Sequence, residues 1–534
     1  MRVTLRAVVI TIAFCIPPLI NAWAGTPPGC PSRPLPGTPV NNPLDLYSQN
    51  GVLTVDLLIQ NSVDVEGFPH VCYIYTYQGQ PIEAPTLRVN PGDTLNINLT
   101  NALQSMDLKS SKKKVVHMHL PHQGPGPADD CSGNEVLPSS TNIHFHGLNI
   151  PPVCHQDDVI NTVIESGDPA FHYSIQIPAN EPPGLYWIHP HVHGNTTDQV
   201  NGGASAALIV EGSNPITQGL NERVIVIREQ DKPGPPNDPD ANVQLTINFE
   251  PAIYPDRPAP TITLQSGVQE FWRLLNASSK QFLSLQLTYA QTLQNFEVLS
   301  IDGVQLQTPI FTNTLNIPPA GRMEFIIPGL RSGQTGQFLT VGYNTGPVGD
   351  ANNPALLAKL STSADLHAQK HLELKAKTQP KPGRFSGLAS MAPNTTRSLY
   401  FSEQNIGTTG GTQFYLTVAG RQPRLFHMDD PPAIVTHVGA VEDWTIENHS
   451  GEVHAFHIHQ IHFLVLAING APVPNPDLQD TIIVPPWLGS GPYTSVTVRM
   501  DFRDPEIAGT FVYHCHILDH EDGGMMAKIE VDPN

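Results

Sequence analysis

The chain has 534 residues, of which only 14% are charged, with 53 prolines, 42 glycines and a formal net charge of −20 from 28 basic and 48 acidic side chains. That length admits about three domains, each with its own core. The proline and glycine content excludes a mainly helical protein, because these residues break helices and punctuate short strands, and the acidic balance excludes nucleic acid as a partner.

Taken in order, residues 1–24 carry Arg2 and Arg6, an apolar run from Ala7 to Ile20 and the small-x-small triplet Ala22-Trp23-Ala24, the form of a secretory signal peptide. Pro17 and Pro18 interrupt the run, which falls short of a membrane span. The expectation is a soluble protein with no membrane partner after cleavage, exported to the periplasm or secreted. Of six cysteines, Cys15 leaves with the signal peptide and Cys515 lies in a metal-like motif, so Cys30, Cys72, Cys131 and Cys154 remain for disulfides. Four cysteines allow three pairings and the sequence does not choose among them. Cys131 with Cys154, bridging an inserted loop, and Cys30 with Cys72 are the expectation.

Three segments share one pattern: Gly92 to Asn101 (GDTLNINLTN), Gly267 to Asn276 (GVQEFWRLLN) and Gly439 to Asn448 (GAVEDWTIEN). Each is a turn glycine, an alternating strand and a closing asparagine, and their recurrence at roughly 170 residues means a repeated domain. A second pattern, Gly184 to His191 (GLYWIHPH) and Gly509 to His516 (GTFVYHCH), closes the first and last copies only. Short strand-like runs with turn signals between these points predict an all-β protein of three Greek-key β-sandwich domains. The boundaries are 25–212, 213–375 and 380–534, with the charged, proline-ending stretch from Leu366 to Arg384 as a linker.

Four His-x-His pairs stand out: His144/His146, His189/His191, His457/His459 and His514/His516. Residues two apart on a strand share a face, so each pair offers two imidazoles to one side. Eight such groups, two pairs in each terminal domain and none in the middle one, suit a cluster of three copper ions. Cys515, between His514 and His516, points the other way. A thiolate with imidazoles and a distant thioether is the ligand set of an electron-transfer copper site, and His454, Cys515, His520 and Met525 supply it. Met526 is assigned to packing. His117, His119 and His122, in the insertion from Lys109 to Cys131, read as a solvated loop, and His193, His427, His437, His449 and His462 read as structural.

Together HFHG, WIHPHVHG, HAFHIH and HCHILDHEDGGMM resemble the four copper signatures of the multicopper oxidases, three-domain cupredoxin proteins, with the closest likeness to bacterial laccases and cuprous oxidases. The resemblance implies four copper ions. His144 and His457 would bind the type 2 ion, and His146, His189, His191, His459, His514 and His516 the type 3 pair. His454, Cys515, His520 and Met525 would make the type 1 site. It implies an oxidase that passes single electrons from a small-molecule or metal-ion reductant, entering at the edge of His520, through Cys515 to dioxygen, which becomes water. Related enzymes place acids where Asp157 (Asp158 is the alternate) and Glu521 stand, which would relay protons. The middle domain has the repeat without ligands and would act as a spacer. Ala455 stands where the family usually has proline, and the signal peptide lacks twin arginines. Nine methionines without a cluster favour laccase-like oxidation of phenols or aromatic amines over a metallo-oxidase acting on Cu(I), Fe(II) or Mn(II). A scaffold that kept the fold and lost catalysis would be expected to have lost histidines.

Overall fold

The computed structural model describes residues 29–63, 67, 69–104, 131, 135–231, 243–252, 258–363, 384–407 and 411–533. The expected signal peptide, the histidines of the 109–131 insertion and the expected linker up to Gly383 lie outside the described residues.

The chain is all-β, built as three cupredoxin-like sandwiches. In the first, a five-stranded sheet ordered Asp45–Tyr47, Thr86–Val89, Ala206–Val210, Gly184–His189, His144–His146 encloses a core with a second five-stranded sheet containing Val52–Val63 and Thr94–Asn101. The third repeats the arrangement. The sheet that carries His454, His457, His514 and Cys515 runs Ile434–His437, Met526–Asp532, Gly509–Cys515, His454–Ile458, Thr481–Val484. In the middle sandwich the positions of the histidine-bearing strands are taken by Gly336–Thr340 and Leu283–Tyr289, which carry no histidine.

The strands of the repeated pattern, Thr94–Asn101, Glu270–Asn276 and Ala440–Asn448, each pair parallel with an earlier strand and antiparallel with a later one. Leu95, Ile97 and Leu99 are fully buried while their neighbours are half-buried, the period-two burial of a sandwich strand. Each such side chain contributes about 1.5–3 kcal/mol on burial.

The closing asparagine has the same task in every copy. Asn101 donates to the carbonyls of Ser139 and Ile164, Asn276 to Gln281, Ile317 and Pro318, and Asn448 to Glu452, Val484 and Pro485. Each side-chain oxygen accepts a backbone N–H two residues on. A buried corner where the chain leaves the sheet has backbone groups to satisfy, and one amide supplies both donor and acceptor.

Disulfides join Cys30 to Cys72 and Cys131 to Cys154, as expected, and Cys515 is a free, buried thiol. Among the described residues no helix is long and apolar enough to cross a membrane.

Candidate metal centres

Two strands position both centres. In the pairing of His454–Ile458 with Gly509–Cys515, Phe456 lies opposite Cys515 and His457 opposite His514. Alternation then puts His454 on the face of Cys515, and His457 on that of His514. Cys515 Sγ lies 3.6 Å from His454 Nδ1 and 3.9 Å from His520 Nδ1. The short helix Leu518–Asp522 brings His520 back over the thiol. Met525 is fully buried in the same core as Cys515 and tied to the site by its backbone, which accepts from Cys515 N–H and donates to His520 O. Met526 packs elsewhere, with Val159, Phe426 and Val512. Burial pushes the Cys515 thiol above its ordinary pKa and lowers that of His454.

On the opposite face the four His-x-His pairs meet. His144, His146 and His457 converge, as do His146, His189 and His516, and His191, His459 and His514. All eight rings are buried. His144 stacks on His459 at 3.7 Å and His146 on His457 at 3.9 Å, each contact joining the first sandwich to the third. Burial, followed by repulsion among the rings in most cases, pushes every one of these imidazoles below its ordinary pKa. They are neutral, with lone pairs to give.

The outer nitrogens are held. His144 Nδ1 lies 3.0 Å from both oxygens of Asp157, His146 Nε2 3.2 Å from Asp480 Oδ1, and His457 Nδ1 2.8 Å from the Asp480 carbonyl. His189 and His514 use Nδ1 on the carbonyls of Pro190 and Cys515. The inner nitrogens His144 Nε2, His146 Nδ1, His189 Nε2 and His457 Nε2 are buried with no hydrogen-bond partner, and the Nε2 atoms of His191 and His459 lie 3.3 and 3.2 Å from that of His514. Each such orphan costs about 1–3 kcal/mol, a penalty removed when lone pairs converge on metal ions. Neutral imidazoles on one face and a thiol with two imidazoles on the other fit copper.

The sequence-predicted acids are buried rather than exposed. Asp157 also accepts from Phe145 N–H and Gln460, and burial pushes its pKa to about 7. Asp158 instead accepts from Asn161. Glu521 lies 3.6 Å from His191 Nδ1 and 3.4 Å from His514 Nδ1, accepts from Thr196, and is pushed well above its ordinary pKa by burial and then by Asp522. Asp522 bridges the sandwiches, accepting from Gly194 and Thr197 of the first.

Several residues at the centres are absent from the sequence reading. Glu452 Oε2 lies 3.6 Å from His520 Nε2, and Glu403 Oε1 3.4 Å from His454 Nε2. Burial, then repulsion from Glu403 and Asp350, raises the Glu452 pKa to about 8. Asp443 instead pairs with Arg499, and Asp522 with the first sandwich. Strand parity offered a signal for Glu452, two residues before His454. Asp480, Arg322 and Gln460 carry none, because their meeting is tertiary.

Two family profiles described as Multicopper oxidase match residues 132–215 and 394–534. A multicopper oxidase of Staphylococcus aureus is 26% identical over 416 residues, covering 74% of this chain and 77% of the relative. A laccase of Bacillus subtilis (strain 168) is 22% identical over 497 residues, covering 84% and 89%. The fold is similar to a solved Campylobacter jejuni multicopper oxidase described as a metallo-oxidase, with a TM-score of 0.66 at 22% identity over 94% of this chain and 96% of that one.

Proposed function

The chain belongs to the multicopper oxidase family and is a copper-dependent oxidoreductase, and from that premise we propose that it oxidises a one-electron donor at the Cys515 centre and reduces dioxygen at the eight-histidine centre. Copper bound at the two centres supplies the redox chemistry, in which four one-electron oxidations balance the reduction of one dioxygen to two waters and four protons are consumed. The observation that carries the reading is the back-to-back arrangement of the two side-chain sets about one strand pair, the first sandwich supplying the other four histidines of the second set.

His454, Cys515 and His520, with the Met525 thioether as a fourth and weaker donor, would hold the single ion; His144 and His457 would hold a second; His146, His189 and His516 a third; and His191, His459 and His514 a fourth. The chain's own residues supply the rest. Cys515 is bonded through the backbone to His514 and His516, so the two centres are linked covalently. Buried Phe456, Ile458, Ile461 and Ile517 in the core around Cys515 keep water from it. Asp157 beside His144 Nδ1 and Glu521 beside His191 and His514 are placed to pass protons to the centre, and burial raises the pKa of both carboxyls. His520, 5% exposed and stacked on Phe414 at 3.9 Å, is the outer edge at which a donor meets the site.

For the donor, a broad laccase-like preference for phenols or aromatic amines follows from the lack of a methionine cluster. A second reading, oxidation of a metal cation, is favoured by Glu452 and Glu403 at the outer nitrogens of His520 and His454. Copper-loaded protein should be blue and consume oxygen with a phenol; a colourless, inert holoprotein would refute the oxidase reading. Oxygen uptake with a phenol, Fe(II) and Cu(I), in wild type and in Glu452→Gln, separates the two donors. Loss confined to the metal ions supports the cation reading, and equal rates in both proteins exclude it.

A further inference from the structure

The middle sandwich carries no ligand histidine, yet one of its side chains reaches the shared centre. Arg322, the first residue of the strand Arg322–Ile327, is fully buried. Its Nη1 donates to Asp480 Oδ1 at 2.8 Å and its Nη2 to Asp480 Oδ2, a two-pronged pair with a third-sandwich carboxylate. Its Nε donates at 3.3 Å to the carbonyl of Leu185, on the strand that ends at His189 in the first sandwich. A second middle-sandwich residue, Asp302, completes the seat. Asp302 accepts from Arg322 N–H at 2.9 Å and from the N–H groups of Asp480 and Thr481 at 3.2 and 3.3 Å, and its carbonyl lies 2.8 Å from His462 Nε2.

Asp480 does two things with this support. Its carboxylate faces His146 Nε2, and its carbonyl faces His457 Nδ1. Thr481 Oγ1 donates to the same carboxylate oxygen and lies 3.2 Å from His457 Nδ1. An imidazole nitrogen beside an acceptor carries the ring proton, so His146 is fixed with its proton on Nε2 and its lone pair on Nδ1, the nitrogen that faces the centre without a partner. His457 is fixed in the opposite sense, with the proton on Nδ1 and the lone pair on Nε2. Gly147 leaves the room: a Cβ there would stand 2.5 Å from Arg322 Nη2 and 2.8 Å from Asp480 Oδ2.

We propose that the middle sandwich is a working part of the oxygen-reducing centre, with Arg322 as a positioning residue that orients Asp480 and thereby sets the tautomers of His146 and His457. The inference rests on the proposed role of the eight histidines. A salt bridge that merely glued domains together would need no contact with a ligand imidazole, and this one ends on His146 directly.

The experiment uses full-length protein loaded with Cu(II) and then dialysed against graded concentrations of a copper chelator. Copper per chain, the blue absorbance of the Cys515 ion and the paramagnetic resonance of the copper held by His144 and His457 are the readouts. In Asp480→Asn, the Arg322 fork claims the amide oxygen and turns the NH2 toward His146 Nε2. That nitrogen must then accept, the ring proton moves to Nδ1, and the lone pair facing the centre is lost. Copper at the eight-histidine centre should be held roughly 10- to 100-fold more weakly, while the blue absorbance stays. Arg322→Lys keeps the buried charge, so it tests the fork in a folded protein, with a selective loss in the same direction but smaller. If both variants retain copper as wild type does and only melt earlier, the proposal is overturned, and if Asp480→Asn does not fold, Arg322→Lys alone decides. A wild-type chain that binds no copper at the histidines would instead overturn the reading beneath it, and the inference with it.

Discussion

Gly147→Ala tests the crowding behind the centre, and Gly194→Ala is its matched control. Both glycines have φ of +89°, where an added Cβ costs about 1 kcal/mol in backbone strain. At Gly194 the Cβ would meet nothing within 4 Å; at Gly147 it would meet Arg322 Nη2 at 2.5 Å, Asp480 Oδ2 at 2.8 Å and Tyr186 Cδ1 at 3.0 Å. None of the three can retreat, since Arg322 and Asp480 are locked to each other and Tyr186 is buried with its hydroxyl bonded to the Pro182 carbonyl. Overpacking of this kind costs about 1–3 kcal/mol. Gly147→Ala should therefore be destabilised by about 2–4 kcal/mol and Gly194→Ala by about 1 kcal/mol. Urea unfolding of the copper-free proteins, followed by tryptophan fluorescence, measures the difference, with Trp187 in the same sheet as a reporter. Equal losses in the two variants would refute the steric argument, because only the backbone term would then be present.

Asp157→Asn and Glu521→Gln should each slow oxygen reduction by roughly 10²-fold or more while the blue copper remains reducible by donor under argon; wild-type turnover in both would remove the proton relay. Met525→Leu should shift the reduction potential of the blue site, and Met526→Leu should leave it unmoved, since Met526 packs against Val159 and Phe426. Glu181, buried and bonded to Asn149, has its pKa raised by burial from 4.5 to about 7 despite Arg384. A raised carboxyl pKa gives stability that is present below pH 4.5 and lost as pH rises through 7, on the order of 3 kcal/mol. Glu181→Gln should lack that loss, so its stability relative to wild type should climb between pH 5 and pH 8; parallel unfolding profiles would exclude the assignment.

The histidine clusters and the Cys515 group are legible in the sequence because they obey local rules. Alternation placed His514 and His516 opposite Cys515 before any coordinates, and the repeats ending at Asn101, Asn276 and Asn448 marked one corner in three sandwiches. The spacing of His454 from His457 likewise sufficed to separate the two faces. What escaped lies in long-range encounters. Asp480 is 334 residues from His146 and 158 from Arg322, so nothing in a local window announces that they touch. The histidine-free strands of the middle sandwich predict a spacer, and a search for histidines is blind to Arg322, which meets Asp480 beside His146. Glu452 lies outside the copper-like motifs, and only folding brings it beside His520. Burial then raised the Glu452 pKa to about 8 and left Asp443 in an ion pair with Arg499.

The pairing of His454–Ile458 with Gly509–Cys515 also predicts how this protein tolerates change in length. Two centres of different chemistry are kept apart by nothing more than odd and even positions along one pair of strands. Side chains there can be exchanged one at a time, with graded effects on one centre. Removing a single residue between His454 and His457 would be different in kind, since it would carry His454 across to the oxygen side and strip the thiol of an imidazole in the same stroke. The spacing of these strands is thus a stricter inheritance than most of the residues on them, and loops such as that before Gly509 are where insertions can be absorbed.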